Sequence, residues 1–207
     1  MNAALLALPL IVMTSTPRTP VLVELFTSEG CSSCPSADNA LARLVQKQPV
    51  EGVELIALGF HVNYWDYLGW KDPYGAPEYG ERQRRYALEG DENRVYTPQM
   101  VVDGVRSFVG GEDEARAQAA LAAKRSKVPL RLTAQVEGDT VVVRVRTETA
   151  PSRGLELWAA LAEGGFVSEA RLKLAPGWKR EKLRAVAVLQ APAGPVSGAA
   201  AVEVASK

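Results

Sequence analysis

Histidine is nearly absent from this chain: His61 is the only one in 207 residues. That excludes a zinc centre built on several imidazole ligands. Cysteine is almost as scarce, and the two present, Cys31 and Cys34, are too few to staple a mini-protein. A chain this long buries a core without such staples, as one large domain or two small ones. Net charge is missing as well, since 24 basic residues meet 24 acidic ones. No polybasic surface therefore points to DNA or RNA, and no nucleic-acid partner is expected. Neither a phosphate-cradling glycine loop nor a His-Glu-x-x-His motif occurs. Long apolar runs are lacking too. Residues 3–13 are almost wholly apolar, but a bilayer span takes about 20 residues, so no stable membrane insertion is expected.

That short run, inside "MNAALLALPLIVMTSTPRTP", has the length of a signal-peptide h-region and is followed by Ser, Thr and Pro. No Lys or Arg precedes it and no clear A-x-A site follows. The reading is a signal or N-terminal segment over 1–19 and export of the rest; the competing one is a buried first strand or a tail.

"VLVELFT" (21–27) is apolar on both faces and reads as a buried strand, broken by Ser28, Glu29 and Gly30. Ala37, Leu41, Leu44 and Val45 recur at helical spacing, predicting a helix over roughly 32–47 with Pro35 in its first turn. "VELIALGF" (53–60) is a second buried strand. Residues 61–80, crowded with aromatics, Gly and Pro, read as a long insertion loop. A charged surface helix follows over 77–90, with "ERQRR" (81–85) as its solvated face. Asp103-Gly104 sets a hairpin within 99–111, and an alanine-rich helix occupies 112–127, acidic at its start and basic at its end. After Pro129 the texture becomes alternating. A hairpin turns at Gly138-Asp139, and short strands follow at 155–165, 166–174, 183–191 and 199–204, the pattern of a small antiparallel sandwich. The boundary falls near 127–129, dividing the chain into 20–127 and 128–207.

Both cysteines lie between a buried strand and a helix N-terminus, where unpaired N–H groups and the helix dipole favour an anion. A thiolate is thereby favoured at Cys31, the condition for disulfide exchange. Cys34, one turn on, is placed to resolve what Cys31 attacks. A structural disulfide is a competing reading, though so short a loop removes little chain entropy. Half a zinc site lacks its second Cys pair, and two inert thiols sit poorly with the polar turn of Gly30, Ser32 and Ser33. Two thiolates also suit Cu(I), which leaves a copper-handling protein as a weaker option.

Strand, C-x-x-C at a helix start, helix, strand, insertion and then "VYTPQMVVDG" resembles the thioredoxin fold. The resemblance implies an α/β domain with a cis-proline facing the cysteines. Pro98 occupies that place, and the Thr97 backbone would pair with a bound substrate chain. It also implies a buried acid on the strand before the cysteines, used to move protons to the resolving thiol. Glu24 matches, although the loop to the first cysteine is one residue longer. "LFTSEGCSSCPSAD", "FHVNYWDYLGWKDPY" and "YTPQMVVDG" together resemble the bacterial family known as domain of unknown function 1223, exported thioredoxin-like proteins with a β-rich C-terminal region. That likeness is strong over roughly 21–125 and weaker beyond.

Of the aromatics between His61 and Tyr74, Trp65 and Trp70 are expected to plug the insertion onto the core, or to line a groove that receives a partner peptide. His61 is either a structural histidine or an imidazolium near the cysteines. Asp66, Lys71 and Asp72 are expected to cap turns or form local pairs. The expected function is thiol–disulfide exchange without an organic cofactor, on a cysteine-containing protein or small thiol in a bacterial periplasm or outside the cell. The alternative is a partner-binding module whose disulfide only holds a loop.

Overall fold

The computed structural model describes residues 17–90, 94–148, 156–158, 167–174, 179–192 and 194–205. The apolar N-terminal run and most of the strand expected over 155–165 lie outside them. No helix among the described residues is long and apolar enough to cross a membrane.

Strand β1 (Thr19–Thr27) is apolar on both faces because both are covered. Helix α1 (Pro35–Lys47) starts three residues later than its periodicity predicts, since a tight turn through the cysteines precedes Pro35. Strand β2 (Val53–His61) returns parallel to β1, in register from Thr19↔Val53 to Thr27↔His61. The expected loop over 61–80 is partly ordered: Asn63–Leu68 form a 3-10 helix, which turns Tyr64 and Trp65 inward. Helix α2 (Pro77–Glu89) corrects a sequence expectation. Its stripe of Arg82, Gln83, Tyr86 and Ala87 is buried, so the charged "ERQRR" segment contributes two residues to the interior.

Strands β3 (Gln99–Val102) and β4 (Arg106–Val109) form the expected hairpin. Asp103 and Gly104 both take positive φ, 56° and 70°, as a tight type I′ turn demands. Helix α3 (Glu112–Ala122) is shorter than the segment 112–127. Its basic tail does not serve the helix dipole; Lys127 runs on to pair with the buried Asp103 carboxylate and to donate to Val196 O at 2.9 Å. The first sheet has the order β2-β1-β3-β4. Val21, Val23 and Leu25 pack beneath α1 and α3, while Leu22 and Phe26 face the other way.

Strands β5 (Leu130–Glu137), β6 (Thr140–Thr147), β7 (Glu156–Trp158), β8 (Val167–Lys173), β9 (Arg184–Gln190) and β10 (Val196–Glu203) make two three-stranded antiparallel sheets, ordered β5-β6-β8 and β10-β9-β7. Inward residues of β5, β6, β9 and β10 share one apolar cluster. The fold is thus mixed α/β, with three sheets and few helices. Val188, Val196 and Ala199 then pack on Leu22 and Ile56, so the pair of antiparallel sheets shares with α2 the face of β1 that α1 and α3 leave open. Gly104 is required at that seam: a Cβ there would lie 2.1 Å from Gly194 O.

Candidate functional site

Cys31 and Cys34 are joined by a disulfide, with Cα atoms 5.4 Å apart. The backbone explains the closure. Cys31 N donates to Ser28 O and Cys34 N to Cys31 O, both at 3.1 Å, folding the segment into successive turns. Cys34 is the N-cap of α1, and its carbonyl accepts from Ala37 N and Asp38 N. Pro35 follows, where no amide is needed. Ser32 and Ser33 are exposed as expected, but the cysteines are not: Cys31 retains 3% of its surface and Cys34 none. The small difference still ranks the residues, because only Cys31 keeps a trace of exposed surface.

A second loop meets this one. The Thr97–Pro98 peptide is cis. Pro98 packs at Gly110 beside Ala37, one turn along α1 from Cys34. Trp65 ties the two loops together. Its Nε1 donates to Thr97 Oγ1 at 2.8 Å, and its Cβ lies 3.0 Å from where a Cβ on Gly30 would stand. Trp65 therefore packs as expected. Trp70 does not: the residue is 58% exposed, and its indole donates to Glu29 Oε2 at 2.8 Å. Tyr67 and Tyr74 are exposed as well, against Trp65 and His61 respectively.

His61 sits across from Thr27 at the end of the parallel pair. Its Nδ1 donates to Asp72 Oδ2 at 2.7 Å, and the carboxylate, an acceptor only, fixes that tautomer. The same Asp72 oxygen accepts from Glu29 N at 2.8 Å, and Oδ1 accepts from Tyr74 N at 2.9 Å. Asp72 thus caps a local turn as expected and also anchors the approach to Cys31. Burial pushes its carboxyl up, but the Glu29 amide, His61 and the Tyr74 amide outweigh that and hold it below the usual carboxylate range. A depressed folded-state value gives a contribution present above the unfolded value and lost as pH falls through the folded one. Protection of the Glu29 amide from hydrogen exchange should accordingly fall below about pH 4, and Asp72→Asn should lower it at neutral pH. Unchanged protection factors in both cases would refute this anchoring role.

Glu24 is fully buried, as expected, but on the face of the sheet away from α1. Arg82 Nε donates to its Oε1 at 2.5 Å and Tyr86 OH to its Oε2 at 2.6 Å. Arg82 also donates to Tyr86 OH at 2.7 Å and Gln190 Oε1 at 3.1 Å, and Gln190 Nε2 donates to Tyr86 OH at 2.8 Å. Burial, with the Glu24 carboxylate beside it, pushes the Tyr86 hydroxyl well up, so it stays protonated and donates. The structure therefore gathers Cys31, Cys34, Thr97, Pro98, Trp65, His61 and Trp70 about two loops, and puts Glu24 elsewhere. Sequence reasoning missed Arg82, Tyr86 and Gln190. The only signal for the helical pair was the i, i+4 spacing of Arg82 and Tyr86, and nothing local marks Gln190.

The family model described as protein of unknown function (DUF1223) matches residues 22–190. Two solved structures resemble the fold. A crystal structure of an Agrobacterium tumefaciens protein is 24% identical with a TM-score of 0.66, over 91% of this chain and 96% of that one. HBP35 of Porphyromonas gingivalis is 11% identical with a TM-score of 0.63, over 92% of this chain and 77% of its own. No curated protein matches this chain.

Proposed function

The chain belongs to the family of proteins of unknown function DUF1223, and from there we propose that it is a thioredoxin-like thiol–disulfide oxidoreductase acting on a cysteine-containing protein or small thiol. One observation carries the proposal: a disulfide at the start of α1 is tied, through Trp65, to the loop that holds the cis Thr97–Pro98 peptide. Residues 20–127 act as the thioredoxin-like domain, and 128–207 as a small sandwich packed on it. The periplasm or the cell exterior is the proposed location, where a disulfide persists.

A substrate thiolate attacks Cys31 Sγ, a mixed disulfide forms, and the Cys31–Cys34 bond breaks. Cys34 leaves as the thiolate. A second substrate thiolate then attacks the substrate sulfur of the mixed disulfide and expels Cys31. Two electrons pass to the protein and the substrate gains a disulfide; the reverse sequence reduces a substrate. The amides at the start of α1 favour the Cys31 thiolate in either direction. Thr97 offers its backbone to the substrate chain beside Cys31, and Asp72 holds His61 and the Glu29 loop in place. Glu24 takes no part here, because both its oxygens are engaged across the sheet.

The test is the reduction potential of the pair, measured against glutathione or dithiothreitol. Between about −120 and −270 mV it belongs with exchange enzymes, and below about −300 mV with structural bonds. The lower value would replace the enzyme by the partner-binding module.

A further inference from the structure

Among the described residues, one buried side-chain polar atom lacks a hydrogen-bond partner: Thr27 Oγ1. Thr27 is 1% exposed and is the last residue of β1. A buried hydroxyl without a partner costs stability, so its presence calls for a reason.

Its position supplies one. Along β1, Val21, Val23 and Leu25 face α1, and Thr27 continues that alternation. Helix α1 runs back against β1: it starts beside the end of the strand, and Gln48, just past it, binds Leu55, whose register partner is Val21. Leu25 and Ala37 meet at the same landmark. A Cβ on Gly110 would lie 2.6 Å from Ala37 Cβ and 3.6 Å from Leu25 Cδ1. From that level the strand climbs about 6.6 Å to Thr27, and the helix climbs about 4.5 Å to Cys34 in the same direction. These rises bring Thr27 and Cys34 to within about 2 Å of each other in height, on the α1 side of the sheet. While the bond is closed the hydroxyl bonds to neither sulfur and is unpartnered.

We propose that the Thr27 hydroxyl donates a hydrogen bond to the Cys34 thiolate released when Cys31 is attacked. The inference rests on the exchange reading above and names a positioning residue for it. An external thiolate forms the mixed disulfide with Cys31, the electron pair of the broken S–S bond stays on Cys34, and Thr27 keeps its proton while sharing it. Cys34 is fully buried, so the new anion has little water to turn to. A charge-assisted bond formed in the reduced state alone shifts the equilibrium towards that state.

The experiment compares wild type, Thr27→Val and Thr27→Ser in glutathione redox buffers, alongside urea unfolding of each oxidised protein. T27V, isosteric but without the hydroxyl, should favour the disulfide by about tenfold, a potential about 30 mV more negative. T27S should stay within about twofold of wild type. Oxidised T27V should be no less stable than wild type, because it loses an unpartnered hydroxyl; a residue of purely structural value would lower it. If T27V folds poorly, Thr27→Ala must give the same direction of shift. Equal equilibria for wild type and T27V, or equal shifts for T27V and T27S, overturn the assignment. These ratios are read whether or not wild type lies in the exchange range, so failure of the Thr27 bond and failure of the exchange reading are told apart.

Discussion

A Cys34→Ser protein should accumulate a mixed disulfide between Cys31 and substrate thiols, while Cys31→Ser should form none, and both should lose turnover to the background rate. The asymmetry follows from the turn. Cys34 caps α1 with no exposed surface, whereas Cys31 precedes the exposed Ser32-Ser33 step and keeps a trace of accessibility. Without Cys34 nothing intramolecular can displace a captured partner; without Cys31 the remaining thiol is out of reach. Neither loss should be confounded by unfolding. The ring closed by the bond spans a sequence separation of 3, and closing so small a loop restrains the unfolded chain by about 2 kcal/mol, against about 5–15 kcal/mol of total stability for a domain. Non-reducing electrophoresis and mass spectrometry of each variant, incubated with a thiol peptide and its disulfide, provide the measurement. Equal trapping by both single variants would remove the assignment of roles, and no trapping by either would remove exchange itself.

How far the sequence foretold this site depended on how local each determinant was. The strand before the cysteines, the helix after them and the Asp103-Gly104 hairpin are each set by a few neighbouring residues, and all stand within a turn of where they were read. The cis peptide at Pro98 was legible only through the order of elements, since Thr-Pro alone favours trans. Asp72 was read only in part, and Arg82 was misjudged, for the opposite reason. An aspartate beside proline does cap its turn, yet its second oxygen is used 43 residues away at Glu29. Arg82 looked like one of several solvated cations because the residue that buries it, Glu24, lies 58 positions upstream, and Gln190 lies 108 downstream. A periodicity test counts such a stripe as polar and therefore outward. Here the inward face of α2 is polar because the strand beneath it carries a carboxylate.

That carboxylate gives the second large expected effect. Replacing Arg82 with Met should destabilise the protein by about 3–5 kcal/mol, since Glu24 would be left as an unpaired buried charge. The double substitution Glu24→Leu with Arg82→Met should recover most of the loss. It removes both charges, and the bond from the Gln190 amide nitrogen to the Tyr86 hydroxyl at 2.8 Å survives, leaving the hydroxyl proton free to turn to Gln190 Oε1. Because the cluster joins β1, α2 and β9, the single variant should also loosen the pair of antiparallel sheets from the four-stranded sheet, visible as exchange of the β9 amides before those of β1. Urea unfolding at neutral pH measures the first effect, and a cost below about 1 kcal/mol for R82M would mean that the pair contributes nothing beyond an exposed one. The same series decides what Glu24 does for chemistry. Under conditions where Glu24→Gln remains folded, its exchange rate and reduction potential should match those of wild type. A large fall in rate at unchanged potential would instead return Glu24 to the proton path of Cys34, and would require the Arg82 and Tyr86 bonds to open during turnover.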